Sequence, residues 1–482
     1  MDLEIRSLAA RGVGFGTSGV RATVDALTDD VCYAYAAAFL QVLARRGPVH
    51  RVAIGHDLRP SSPRITAACA AACRDAGAEV VHCGALPTPA LAHHAMGLGL
   101  PAIVVTGSHI PFDRNGIKFY VPEGEILKDD EAAITAAKVH LDDRAFDGSR
   151  LRSPPPLPPV DRSALASFVK RYVGFVPAGV LAGRRVGVYE HSSVARDVLK
   201  ELLAALGAEV VSLGRTDTFV PVDTEAVGEA DEQRARAWVA EHRLDALVST
   251  DGDADRPLVA DEQGEFFRGD LVGLLTARFL GVRTVVTPVS SNTAVERCGA
   301  FAKVVRTRIG SPYVIAAMGA PGAEAPVAGY EANGGFLLAS EIVRGAARLA
   351  PLPTRDAALP IVALLVAAAE RKVPLSGLRA GLPPRFTASD RIQSFETARS
   401  QRLVAGLLGD PAALAAFFRP LGAPAGVDRT DGVRVTLANG EIVHLRPSGN
   451  APELRCYAEA DSPARARELS AWGLAAARAA AA

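Results

Sequence analysis

The stretch RRVGVYEHSSVARDVLKELLAALGAEVVSLG, Arg184–Gly214, decides the fold. A short β-branched run gives way to a Ser-containing turn, then to leucines at helical spacing. Gly207 closes that helix, and a second β-branched run follows. The order is strand, loop, helix, strand, which predicts parallel pairing through a right-handed crossover. The same order recurs on both sides. Upstream, VAIGHD (Val52–Asp57) reads as a buried strand, an Ala-rich helix runs to Asp75, Gly77 ends it, and AEVVHCG opens the next strand. Downstream, TVVTPVSSNTAVERCGAFAKVVRT, Thr284–Thr307, is a third copy. The first two copies share GAEVV word for word, at Gly77–Val81 and Gly207–Val211. Three such units predict a series of homologous α/β domains.

The last part of the chain has another character. RVTLANGEIVHLRPSGNAPELRCYAEA alternates about Asn439-Gly440, the pattern of a β-hairpin; a further strand and an Ala-rich helix from Ser462 follow. SPPPLPPV, Ser153–Val160, is the clearest linker, and prolines at 351–353 and 383–384 punctuate the chain again. The expected division is residues 1–152, 160–257 and 258–372 as three similar α/β domains with mixed sheets, and 373–482 as a smaller α+β domain.

Composition narrows the function. The 482 residues carry 53 Lys+Arg against 53 Asp+Glu, so no basic excess points to nucleic acid or a membrane surface. The six cysteines form no CxxC pair, which disfavours a zinc ribbon. The longest strongly apolar run, Ile361–Ala369, is too short to span a bilayer, and the first ten residues lack a secretory pattern. A cytoplasmic protein is expected.

Five segments carry chemistry. DGDADR, Asp251–Arg256, follows the strand-like LDALVST and sets Asp251, Asp253 and Asp255 at alternate positions of a loop, where they can converge on a hard divalent cation. An EF-hand would need Gly where Arg256 stands; a solvated acidic turn is the plainer alternative. AIVVTGSHIPFDRNGIKFY, Ala102–Tyr120, delivers Ser108 and His109 to the end of a buried strand, with Lys118 after the Asn115-Gly116 turn. Thr106 and Ile110 stand where a hydrolase elbow needs glycines, so an acyl hydrolase is disfavoured. Read alone, Ser108 is also an ordinary loop serine. RPSGN, Arg446–Asn450, joins an Arg, a hydroxyl and a Gly turn into an anion cup. FGTSGVR, Phe15–Arg21, has the same makings, and GYEANGG, Gly329–Gly335, offers Glu331 and Asn333 to sugar hydroxyls.

In this order and spacing the five segments resemble the α-D-phosphohexomutase superfamily, the phosphomannomutase/phosphoglucomutase group, over nearly the whole chain. The resemblance implies four domains around a central cleft and an isomerase that interconverts hexose 6-phosphate and hexose 1-phosphate through a phosphoserine and a hexose 1,6-bisphosphate. It assigns the phosphoryl group to Ser108, and Mg²⁺ to Asp251, Asp253 and Asp255 together with Ser108. Arg21, His109 and Arg256 fall beside the phosphoserine, with Lys118 as candidate general acid/base. Glu331 and Asn333 match the sugar loop, and Arg446, Ser448, Gly449 and Asn450 match the loop that holds the non-reacting phosphate. The sequence departs from the pattern at Ile110, where Asn is usual, and at Ser311, where several members place His. Mannose phosphate is the first expectation as substrate. Glucose phosphate or dual use comes second and glucosamine phosphate third. A catalytically silent sugar-phosphate binder and a metal-dependent phosphatase are the competing classes. A monomer is expected, with a dimer as the alternative.

Overall fold

A computed structural model describes residues 2–154, 156–448 and 452–480. One sheet plan occurs three times. In the first domain the strands Glu79–Ala85, Arg51–His56 and Ala102–Val105 run parallel, and Arg114–Val121 closes antiparallel beside the last of them. In the second, Glu209–Leu213, Arg185–Tyr189 and Ala246–Thr250 run parallel and Pro257–Ala260 closes antiparallel. In the third, the parallel set is Lys303–Thr307, Thr284–Pro288 and Val327–Tyr330, closed by Phe336–Leu338. The loop before the antiparallel strand is thus the same loop each time. It carries Ser108 in the first domain, Asp251 to Arg256 in the second and Glu331 to Gly335 in the third. The sequence motifs converge because they occupy one topological position in three copies.

The third unit has its expected strand–helix–strand order, with a short helix. Its helix is only Ala294–Arg297. Asn292 Oδ1 accepts the Ala294 N–H at 2.8 Å and starts the turn, and Gly299, at φ 64°, ends it before a second turn forms. The final domain is an antiparallel sheet in the order Phe386–Ile392, Leu454–Ala460, Ile442–Pro447, Val433–Leu437, Pro424–Asp428. The hairpin at Asn439-Gly440 is there, and Ser462 Oγ accepts the Arg465 N–H at 3.2 Å at the head of the helix Pro463–Ala480.

The first three domains share a core. Leu91 of the helix Thr88–Gly97, Phe168 and Tyr172 of Ser163–Val173, Leu202 of Arg196–Ala205, and Ile361 and Leu365 of Ala358–Arg371 belong to one buried apolar cluster. The last domain has its own, around Phe418, Val435, Leu445 and Leu469. It is tied to the third by Glu459, which takes the Thr293 hydroxyl and N–H and the Arg385 Nε, the latter at 2.6 Å. Among the described residues no helix is long and apolar enough to cross a membrane.

Candidate active site

Each loop is bent by its own side chains. After the strand Ala102–Val105, Thr106 Oγ1 donates to Asp57 Oδ2 and accepts the Ser108 N–H, both at 2.8 Å. Ser108 is held at φ 54°, a left-handed conformation that a residue with a Cβ adopts only under constraint. In the acidic loop, Asp251 Oδ1 accepts the N–H groups of Asp255 and Arg256 at 3.2 and 3.3 Å, which curls the chain back on itself. The three carboxylates therefore converge, with ligand oxygens within 4.8 Å of one another. The two loops meet at Gly252, where a Cβ would stand 2.8 Å from the Ser108 carbonyl oxygen.

Ser108 Oγ donates to Asp251 Oδ2 at 2.6 Å. Lys118 Nζ, 2% exposed, bridges Asp253 Oδ2 at 2.6 Å and Asp255 Oδ2 at 2.7 Å. Thr88 Oγ1 adds a third donor to the group, on Asp253 Oδ2 at 2.7 Å. Burial, and then the charges of Asp253 and Asp255, push the Asp251 carboxyl well above the ordinary range. Burial acts on Asp255 too, but Arg355, Lys118 and Arg256 outweigh it and hold that carboxyl below its ordinary value. Asp253 Oδ1 and Asp255 Oδ1 are buried without a hydrogen-bond partner among the described residues. Two orphaned carboxylate oxygens beside Asp251 and Ser108 are the donor set a hard divalent cation requires, so the residues fit a magnesium ion.

The flanking residues fall into place around this centre. Arg256 Nη1 donates to His109 Nδ1 at 2.9 Å, and His109 Nδ1 lies 3.3 Å from Ser108 Oγ. Burial, with the Arg256 cation next, pushes the imidazole down to about 3, so His109 is neutral. Arg21 donates to the Thr106 carbonyl, and burial lowers its guanidinium to about 10. Glu331 is buried and pairs with Arg355 at 3.1 Å, while Asn333 Oδ1 accepts the Gly335 N–H at 3.0 Å and shapes the same turn. In the last domain Arg446 pairs with Asp431 at 2.8 Å, and Asp431 also accepts the Ile309 N–H at 2.9 Å. Ser448 N–H bonds the Glu453 carbonyl at 2.9 Å. Gly449 and Asn450 lie outside the described residues.

Sequence reading missed Arg355, which ion-pairs Asp255 at 2.8 Å and so joins the acidic loop to Glu331. It also missed Arg59, Thr88 and the buried Glu125. Glu125 accepts the hydroxyls of Ser311 at 3.0 Å and Thr354 at 2.7 Å and docks the third domain on the first. Ser311, where a His is common, thus has a structural partner here. Nothing local in LPTRD or LPTPA sets Arg355 or Thr88 apart, because their partners lie in other domains; Asp57-x-Arg59 was the one visible cue.

Family models for phosphoglucomutase/phosphomannomutase match residues 12–144 as alpha/beta/alpha domain I, 167–264 as domain II, 268–386 as domain III and 401–471 as the C-terminal domain. The chain belongs to that family. Two similar relatives within it are proteins named phosphomannomutase. One, from Sinorhizobium fredii, is 48% identical over 96% of this chain and 98% of its own length. The other, from Salmonella muenchen, is 47% identical over 94% and 92%. A phosphoglucosamine mutase from Anaeromyxobacter dehalogenans is 31% identical over 95% and 96%. Among solved structures, a phosphoglucomutase/phosphomannomutase family protein from Burkholderia thailandensis superposes with a TM-score of 0.73 at 23% identity, covering 96% of this chain and 97% of that one. An N-acetylphosphoglucosamine mutase from Aspergillus fumigatus, solved with GlcNAc-6P and magnesium, gives 0.54 at 16%, covering 99% of each. These two likenesses establish the fold, a four-domain phosphoglucomutase/phosphomannomutase arrangement.

Proposed function

We propose that this chain is a phosphohexomutase of the phosphomannomutase type, which moves a phosphoryl group between O6 and O1 of a hexose phosphate by way of Ser108. The observation that carries the reading is the 2.6 Å contact between Ser108 Oγ and Asp251 inside a buried carboxylate triad that also holds Lys118. The relatives support mannose phosphate over other sugars, being phosphomannomutases at 48% and 47% identity against 31% for a phosphoglucosamine mutase.

The chemistry follows from the arrangement. Phosphoryl transfer depends on alignment and on neutralising the charge of the equatorial oxygens. Magnesium bound by Asp251, Asp253, Asp255 and Ser108 would supply that neutralisation. Ser108 presents its oxygen at the mouth of the first sheet, and the left-handed backbone fixes the direction in which it points. Lys118 exchanges the proton of the sugar hydroxyl that accepts or releases the phosphoryl group. Arg256 and Arg21 bring positive charge to the same centre, and Arg355 holds Glu331 ready for sugar hydroxyls. Arg446 and Ser448 receive the phosphate that is not reacting. The hexose 1,6-bisphosphate turns over between the half-reactions, so that each of its phosphates meets Ser108 in turn.

The test is a comparison of kcat/KM for mannose, glucose and glucosamine 1-phosphates, primed with a hexose 1,6-bisphosphate. Intact-mass measurement of the same protein should show one phosphoryl group that Ser108→Ala removes. Full turnover by Ser108→Ala, or full turnover in EDTA, refutes the mechanism. A preference for glucose 1-phosphate keeps the mechanism and moves the substrate.

A further inference from the structure

Arg59 lies on the turn between the strand Arg51–His56 and the helix Ser62–Asp75, and it is 1% exposed. A guanidinium offers five N–H donors in one rigid plane. Here Nε donates to Asp57 Oδ2 at 3.1 Å. Nη1 donates to the carbonyls of Pro111 at 2.7 Å and Arg114 at 3.1 Å. Nη2 donates to those of Ser108 at 2.9 Å and Ile110 at 2.5 Å. Three carbonyls of the loop that carries Ser108, and that of Arg114 at the head of the next strand, are thus turned inward onto one cation. The packing around it is equally close. A Cβ on Gly107 would stand 2.4 Å from Arg59 Nε and Cζ, and the Phe219 ring of the second domain covers the guanidinium at 4.0 Å. Asp57, the remaining partner, accepts the Gly107 N–H at 3.2 Å and the Thr106 hydroxyl from the same loop.

We propose that Arg59 is a positioning residue for phosphoryl transfer. It fixes the left-handed Ser108 backbone, and with it the line along which Ser108 Oγ meets phosphorus, without touching the substrate. The inference rests on Ser108 as the phosphoryl carrier. A lysine keeps the ion pair with Asp57 but has no planar fork to hold four carbonyls at once. Loss of alignment at a transferring group lowers the rate of the chemical step more than it weakens ground-state binding.

The experiment uses the full chain with Arg59→Lys, Arg59→Ala and Phe219→Leu, each checked for folding by circular dichroism. Two quantities are read: the rate at which a hexose 1,6-bisphosphate phosphorylates Ser108, by intact mass, and kcat and KM for mannose 1-phosphate. Arg59→Lys is expected to lose about 100-fold in kcat and in the phosphorylation rate, the cost of roughly an ångström of misplacement. Its KM should stay within about threefold of wild type, as for an interaction that matters only in the transition state. Phe219→Leu, which leaves the fork in place but uncovers it, should lose several-fold in kcat on the same pattern. A folded Arg59→Lys with wild-type kcat, or with its loss confined to KM, overturns the proposal. If neither Arg59 variant folds, wild-type kcat in Phe219→Leu overturns it. A wild-type protein that never takes phosphate on Ser108 defeats the functional reading itself. Normal wild-type phosphorylation with an equally fast Arg59→Lys defeats only the role of Arg59.

Discussion

Arg355→Met separates two effects that one buried cation combines. Arg355 Nη2 lies 2.8 Å from Asp255 and Nη1 lies 3.1 Å from Glu331, and the three side chains are 1–5% exposed. At those distances and an effective dielectric of about 20, each contact is worth roughly 5–6 kcal/mol of Coulomb energy. Desolvation of the guanidinium takes back much of that, and breaking a buried pair by removing one partner typically leaves a net loss of about 3–5 kcal/mol. The substitution keeps much of the aliphatic volume and removes the charge together with its N–H donors, so the metal-free protein should be less stable by that amount. For the divalent ion the sign reverses. Asp255, relieved of a competing cation, should bind magnesium about tenfold more tightly or better, a change of some 1.4 kcal/mol or more. Urea denaturation in EDTA and calorimetric titration with Mg²⁺ read the two quantities separately. Saturating Mg²⁺ should recover part of the lost stability, because a ligand that binds only the folded state stabilises it by mass action. Turnover should still collapse, since Glu331 loses its anchor. Unchanged stability together with unchanged or weaker magnesium binding would refute the placement of Arg355 between the Asp255 loop and the Glu331 loop.

Gly252→Ala would put a Cβ 2.8 Å from the Ser108 carbonyl oxygen, so kcat should fall about 100-fold while the circular dichroism spectrum stays native. Thr88→Val removes the hydroxyl that orients Asp253 at 2.7 Å, and titration should show magnesium affinity about tenfold weaker, as for loss of an outer-shell partner. Five of the six cysteines are buried, and burial pushes Cys73, Cys83 and Cys456 up to about 12. At pH 8 a chromogenic disulfide should therefore titrate Cys298 alone in the native protein, and all six thiols in denaturant. Reaction of several thiols before unfolding would contradict the packing.

Local pattern made much of this molecule legible. The crossover units show in GAEVV and its repeats because hydrophobic periodicity and terminal glycines are short-range signals. The triad shows because Asp251, Asp253 and Asp255 are neighbours in the chain as well as in space. Arg355 gave no such signal: its partners are one hundred residues upstream in Asp255 and 24 residues upstream in Glu331, and an isolated Arg on a strand looks like surface. Thr88 is separated from Asp253 by 165 positions, and no spacing rule reaches that far. The length of the helix Ala294–Arg297 is also hard to read from local pattern. Its residues suit a helix, but the Asn292 cap and Gly299 confine it to a single turn. Asn333 is offered to the sugar by its residue type and by its match to the sugar loop; the structure adds that its Oδ1 accepts the Gly335 N–H at 3.0 Å within that loop.

The core shared by the first three domains has a consequence for how the protein is made. Chains emerge from the ribosome amino end first, at about 5–20 residues per second. Lys118 is translated 135 residues ahead of Asp253, so it waits roughly 7–27 s for the carboxylate that accepts its charge. Tyr120 waits still longer for Thr354, 234 positions on. Through that interval the first domain carries an unpaired ammonium and the bare apolar side of the helix Thr88–Gly97. A nascent or truncated product is therefore both inert and sticky, the two properties by which holdases and proteases recognise unfinished chains. The buried cluster of Ser108, Lys118 and the three carboxylates is complete only once Asp255 has been translated, well after its first two members.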